Sequence, residues 1–290
     1  MNVSERKFSF KQLLTDIRSL MRDAWANASI FALAAIIIHN LYEVKYFVLM
    51  IGIALGYAFG FALNDYFDKD YDLMDDTKAK RNFFIRSGFK NYQAMFFILL
   101  IIFILYLIFQ KFGILGIVFL VISLFVLWAY SAEPIRLKSR PGLDLLTHSV
   151  FLDTYPYFLV LVLSQSKIIN IDYFVMSLTI LLSMSEQLEN QIRDYAIDKK
   201  TDINFSVKFG VNTSVKLLKI LVLCSIAIIV LVIINEIVPF HFYPIALIIA
   251  PWLLYKLVRT EKRVRSEKLN RYTSIGALSY LIILVIMLKF

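Results

Sequence analysis

Residues 45–72 read KYFVLMIGIALGYAFGFALNDYFDKDYD. From Tyr46 to Leu63 there is no charged side chain, and at Asn64 the chain turns abruptly acidic. An apolar run of ~20 residues is what a helix needs to cross ~30 Å of hydrocarbon. The change at Asn64 therefore marks the edge of a membrane. On a helix of 3.6 residues per turn, a spacing of four turns each side chain by only ~40°. Asn64, Asp68 and Asp72 are thus expected on one face. Gly52, Gly56 and Gly60 continue the same ladder back along the helix, as small residues that let neighbouring helices approach closely.

The rest of the chain repeats this apolar character. Of its 290 residues 59% are hydrophobic, and the mean hydropathy is +0.70, against roughly 45–50% apolar for an average soluble domain. Apolar runs fall at about 26–43, 45–63, 92–109, 113–130, 145–164, 172–190, 215–235, 239–257 and 272–288. The expectation is an all-α, polytopic membrane protein with about nine transmembrane helices, a single domain over 1–290. The net charge of +9 would suit a nucleic-acid binder, but its distribution points to membrane topology and to no nucleic-acid partner. Between alternate spans, one side carries five Lys and Arg before the first span, six in 64–91, then Arg136, Lys138 and Arg140, six in 193–219 and seven in 256–271. The other side holds only Lys45, Lys111, Lys167 and Lys289, a split of 27 to 4. Cytoplasmic loops carry such an excess of Lys and Arg. The N-terminus is expected in the cytoplasm and the C-terminus outside. No cleavable leader is expected, because the first long apolar run follows a mixed-charge stretch (Ser4 to Asp23). A single cysteine, Cys224, excludes an internal disulfide.

Two cytoplasmic segments, 64–91 and 191–214, are long and rich in paired charges, and long loops usually carry function. They echo each other. Asn64, Asp68 and Asp72 recur 130 residues later as Asp194, Asp198 and Asp202, after the sixth span instead of the second. An internally duplicated helical bundle follows. Acids at a helix end can simply solvate it, but two rows of like charge with one spacing are costly to ionise without a cation. Oxygen ligands without His or Cys select hard cations, Mg²⁺ above all. If the two faces meet, six oxygen-bearing side chains converge on such an ion.

Basic and hydroxyl groups accompany the acids. Tyr130 and Ser131 end the fourth span, followed by Arg136, Lys138 and Arg140. Such donors suit phosphate oxygens, although positive-inside charge alone also explains the bases. Arg22, Arg81, Arg86 and Arg193 are further candidates for phosphate. On span five Asp144 and His148 lie one turn apart, with Asp153 beyond; on span six Glu186 and Asn190 lead to Asp194 by steps of four. Polar groups at this depth normally face a cavity or a partner. Asp144, His148, Glu186 and Asn190 are candidates for an acceptor pocket.

At these residues the chain resembles the UbiA superfamily of intramembrane prenyltransferases. Asn-Asp-x-x-Asp-x-x-x-Asp matches at 64–72, Asp-x-x-x-Asp-x-x-x-Asp at 194–202, and Tyr-Ser-x-x-Pro-x-Arg-Leu-Lys at 130–138. The region after the first array reads Arg81 to Gly88 without the proline of the family's Arg-Pro-x-x-Ser-Gly, which leaves Arg81 and Arg86 both open as the phosphate contact. The resemblance implies a prenyl-synthase-like helical core, with Asn64, Asp68, Asp194 and Asp198 binding two Mg²⁺ ions that bridge the diphosphate of an allylic prenyl donor. It implies transfer of the prenyl group to a lipophilic acceptor such as a quinone precursor or other lipid, in a membrane-lipid setting. Catalysis would rest on Asp68, Asp72, Asp198 and Asp202, with Asp72 or Asp202 taking the acceptor's proton. Two other readings are a CDP-alcohol phosphotransferase, which needs an Asp-Gly-x-x-Ala-Arg stretch that neither array contains, and a cation transporter, whose ionisable groups should sit near mid-membrane.

Overall fold

The computed structural model describes residues 24–74, 76–259 and 266–289. No strand occurs among them. The long helices are α1 (Ala24–Ile38), α2 (Val44–Phe67), α3 (Asn91–Phe109), α4 (Gly113–Ser131), α5 (Leu143–Ser164), α6 (Asn170–Thr201), α7 (Val211–Ile234), α8 (Tyr243–Leu257) and α9 (Glu267–Lys289). Each expected span falls on one of them. Among the described residues, six segments can cross a membrane by length and composition: α2, Asn91–Ser131 taken as one run, α5, α7, Phe240–Leu257 and Lys268–Lys289. The shortfall from nine has physical causes. The apolar part of α1, Asn27–Ile38, is short, α6 carries its charged C-terminal half as one continuous helix, and α3 and α4 are separated only by the turn Gln110–Phe112.

The described residues form two compact units, Ile51–Arg136 and Ala26–Met50 with Leu137–Phe290. In the first unit, α3 and α4 expose Phe96, Leu99, Phe103, Val121 and Phe125. A contiguous apolar surface of this kind needs lipid or a partner against it. The unit's aromatic core lies in the loop after α2. Phe83, Phe84 and Phe89 are buried with Ala62 and Ala94, and the Phe83 ring lies 5.0 Å from Phe84 and 5.7 Å from Phe89, both edge to face. That core folds the segment after α2 back onto the helix end.

In the second unit α6 is the central element, packed along α7 and α5. Leu145, Leu188, Leu218, Val222 and Trp252 form its main core. The terminal helices meet, with Leu33 and Ile37 of α1 against Leu281 and Leu284 of α9. Helix α5 is interrupted by a π-turn at Val150–Thr154, just before Pro156. Proline cannot donate to the carbonyl one turn back, and the wider π-turn accommodates its ring. At the expected outer end, Asp172 is fully buried, accepting from Tyr157 Oη at 2.5 Å and the Ile169 N–H at 2.7 Å, with His39 Nε2 at 3.0 Å. This carboxylate ties α6 to α5 and to the end of α1.

Candidate active site

The first array keeps the geometry that the spacing predicts. Helix α2 ends at Phe67, yet the Asp68 N–H still donates to Asn64 O at 2.9 Å, and the Asp72 N–H to Asp68 O at 2.8 Å. The three side chains thus follow one another turn by turn. They also collect the serine and arginine of the segment that follows α4. Ser131 Oγ donates to Asn64 Oδ1 at 3.0 Å, and Arg136 Nη2 to Asp68 Oδ1 at 3.2 Å. Arg136 is buried and stacks over the Tyr71 ring at 4.5 Å. Its backbone has φ of 38°, and a cis Glu133–Pro134 bond precedes it. Acids at a helix C-terminus are repelled by the negative end of the helix dipole, so a cation here is favourable. Arg136 supplies part of that charge.

Asp65 and Asp72 have a different use. Asp65 Oδ2 accepts the Phe83 N–H at 2.7 Å, and Asp72 Oδ2 accepts Asn82 Nδ2 at 2.8 Å. Asn82 also donates to Asp65 O at 2.7 Å. These bonds close the loop on the array.

In the second unit, Asp194 and Asp198 lie inside α6, and Asp202 is its C-cap in extended conformation. Arg193 grips its neighbour Asp194 with two bonds, at 2.9 and 2.7 Å. Asn204 Nδ2 donates to Asp198 Oδ2 at 2.9 Å, and Ser139 Oγ donates to Asp202 Oδ1. The third aspartate therefore leaves the helical face on which the spacing had placed it, because the helix stops one residue earlier and Ser139 holds its carboxylate.

The deeper candidates divide. Asp144 is fully buried, and protein donors occupy both of its oxygens: Gly142 N–H at 2.6 Å on Oδ1, Gln191 Nε2 at 2.6 Å and the Phe205 N–H at 2.8 Å on Oδ2. That is the position of a scaffold residue. His148 Nδ1 lies 3.2 Å from Ser183 Oγ. Glu186 is buried and Asn190 half-buried. Of the bases, Arg81 and Arg140 are exposed, while Arg86 and Lys138 are half-buried, as is Tyr130. Arg22 lies outside the described residues.

Some polar residues of this region have no counterpart in the spacing argument. Lys256 and Glu189 form a wholly buried ion pair at 3.0 Å; Lys256 also donates to Ser185 Oγ at 3.0 Å and lies 4.0 Å over the Trp252 ring. A lysine at the end of an apolar run reads in sequence as a surface anchor. Only the fold brings Glu189 to it. Asn82, Asn204 and Ser139 carry no signal of their own in the sequence, being single small polar residues.

The sequence from residue 25 to 281 matches the model of the UbiA prenyltransferase family. The chain belongs to that family. It is a membrane-embedded prenyltransferase. Among curated proteins none matches the chain by sequence. The fold is shared with solved structures at low identity. A UbiA homolog from Archaeoglobus fulgidus, bound to GPP and Mg²⁺, superposes with a TM-score of 0.74 at 15% identity, over 93% of this chain and 99% of that one. The same homolog bound to DMAPP and Mg²⁺ gives 0.73, again at 15% identity, over 94% and 99%. A digeranylgeranylglyceryl phosphate synthase gives 0.62 at 18% identity, over 94% of each chain.

The donor set suits a hard divalent ion. Among the described residues no three His, Cys, Asp or Glu side chains cluster as a ready-made metal cage. Mg²⁺ does not need one, since it is commonly held by one or two carboxylates plus waters and substrate phosphates. Each array offers oxygens of that kind, and neither offers a nitrogen or sulfur ligand.

Proposed function

We propose that this prenyltransferase moves the prenyl group of an allylic prenyl diphosphate to a lipophilic acceptor and releases diphosphate, with two Mg²⁺ ions. The observation that carries the reading is the pairing within the first unit. Ser131 and Arg136 close on Asn64 and Asp68, so hydroxyl, guanidinium and carboxylate groups meet at the end of an apolar helix. Ligand-bound relatives of the fold, carrying GPP or DMAPP with Mg²⁺, point the same way.

Asn64, Asp68, Asp194 and Asp198 would hold the metal, which supplies Lewis-acid stabilisation of the charge growing on the departing diphosphate. Ser131, Tyr130, Arg136, Lys138 and Arg193, with Arg81 or Arg86, bind and orient the phosphate oxygens; Arg22 belongs to the same group by sequence. Such fixed donors are usually the largest catalytic contribution. The C1–O bond of the donor breaks, the acceptor's nucleophilic atom bonds to C1, and the acceptor's proton passes to Asp72 or Asp202. Apolar helices keep water from the allylic cation. His148, Glu186 and Asn190 remain the groups for the acceptor. The whole chain acts as one functional domain, with the arrays on the cytoplasmic side.

The test is release of diphosphate from an allylic prenyl diphosphate by the purified protein, with and without Mg²⁺, alongside mass analysis of lipids from expressing cells. Asp68→Ala and Asp198→Ala are expected to abolish release while leaving membrane insertion intact. Mg²⁺-independent turnover by either variant would remove the proposal. A CDP-alcohol substrate consumed in place of the prenyl donor would do the same.

A further inference from the structure

A seven-residue pattern recurs after the two arrays, matched at five of its positions. Asn82-Phe83-Phe84-Ile85-Arg86-Ser87-Gly88 and Asn204-Phe205-Ser206-Val207-Lys208-Phe209-Gly210 share Asn, Phe, a β-branched residue, a base and Gly at equivalent places. Each stretch folds alike within its own unit. The asparagine N-caps a five-residue helix, Phe83–Ser87 or Phe205–Phe209. Its Oδ1 accepts the N–H three residues on, from Ile85 at 3.1 Å and from Val207 at 3.0 Å. The following phenylalanine donates its N–H to a carboxylate elsewhere in the unit: Asp65 at 2.7 Å, Asp144 at 2.8 Å. The glycine closes the turn with φ of 64° or 86°, a region glycine enters without steric cost.

The remaining atom of each asparagine goes to an array. Asn82 Nδ2 donates to Asp72, and Asn204 Nδ2 donates to Asp198. Capping alone does not call for asparagine, since Ser and Asp cap equally well. Aspartate has no donor, and serine is too short to span from the helix N–H to the array. Asparagine accepts with one atom and donates with the other. Its amide is also neutral, so it orients a carboxylate without cancelling the charge that a cation needs.

Resting on the Mg²⁺-dependent reading above, we propose that Asn82 and Asn204 are positioning residues that hold Asp72 and Asp198 in the orientation the reaction uses. Hydrogen-bond partners behind metal-ligating carboxylates typically matter ~10- to 100-fold in metal affinity or activity. Asp198 is a proposed metal ligand and Asp72 is not, so the two asparagines should differ in what they control.

The experiment uses the full-length protein and an unreactive prenyl thiodiphosphate. Asn204→Ser keeps a capping oxygen and loses the reach to Asp198. The Mg²⁺ concentration for half-maximal binding of the analogue should rise about tenfold, while the melting temperature without ligand stays within about 3 °C. Asn82→Ser should leave that Mg²⁺ concentration within about threefold and lower turnover at saturating Mg²⁺ about tenfold. Folded Ser variants with wild-type Mg²⁺ dependence and turnover would overturn the inference, leaving only a cap. So would failure of both variants to fold, which would make the asparagines scaffold alone; if only one fails, the other turn decides. No Mg²⁺-dependent binding of the analogue by the wild-type protein would instead sink the proposed function itself.

Discussion

Arg136 is held at 7% exposure by Asp68 on one side and the Tyr71 ring on the other. Arg140, four residues on, is exposed. Positive-inside bias treats the two alike, whereas a phosphate site does not. Hydrogen bonds to charged groups contribute about 1.5–3 kcal/mol, and 1.4 kcal/mol is a tenfold change in affinity. Arg136→Ala is therefore expected to weaken prenyl thiodiphosphate binding at least ~10-fold, measured by titration in detergent or nanodiscs. Arg136→Lys should fall between, keeping the charge and losing the planar fork. Arg140→Ala should stay close to wild type, and an equal loss at both positions would return Arg136 to the role of a surface anchor. At this scale the first array was legible in the sequence because helical spacing survives past the end of α2. Asp202 was not, because one extended residue turns its side chain to Ser139. Asp144 was misleading for another reason. An acid in an apolar run looks like a site, and here it instead satisfies backbone N–H groups of two loops.

Among the elements, the apolar runs were legible because nothing but helix satisfies a backbone in lipid. Close packing was only partly so. The ladder Gly52, Gly56, Gly60 reads as one smooth stripe, yet the helices use two of its rungs. A Cβ on Gly52 would lie 2.9 Å from Ile108 Cγ2, and one on Gly60 2.9 Å from Leu127 Cδ2, while Gly56 has nothing within 4 Å. The tightest glycine is one that no periodicity marks. A Cβ on Gly116 would lie 2.0 Å from the carbonyl oxygen of Phe109, across the corner between α3 and α4. Side chains can move aside, but that carbonyl belongs to the helix. Gly116→Ala is expected to destabilise by more than the roughly 1–3 kcal/mol typical of overpacking. Gly56→Ala should be neutral or slightly stabilising, as Ala is the better helix former. Thermal unfolding in one detergent would rank them, and a Gly116→Ala protein as stable as Gly56→Ala would contradict this corner.

For the whole molecule, the internal duplication is written twice, in the arrays and in the asparagine-capped turns behind them. The spacing between these features differs, with the second turn 122 residues after the first and the second array 130 after its partner. The first loop is thus eight residues longer, which hid the turn repeat from a fixed-offset reading. Orientation in the membrane rests on the charge split. Arg136, Lys256 and Arg259 are buried, so they do not act as surface charges. Setting them aside leaves 24 against four, which preserves the bias that sets topology. The bias predicts that the segments carrying the arrays lie on the cytoplasmic side. In a Cys224→Ala background, Asp76→Cys lies in the loop behind the first array and Lys167→Cys in the turn between α5 and α6. An impermeant thiol reagent applied to intact cells should label Lys167→Cys and leave Asp76→Cys unmodified until the membrane is opened. The converse pattern would invert the protein, place the arrays outside and separate them from any cytoplasmic donor.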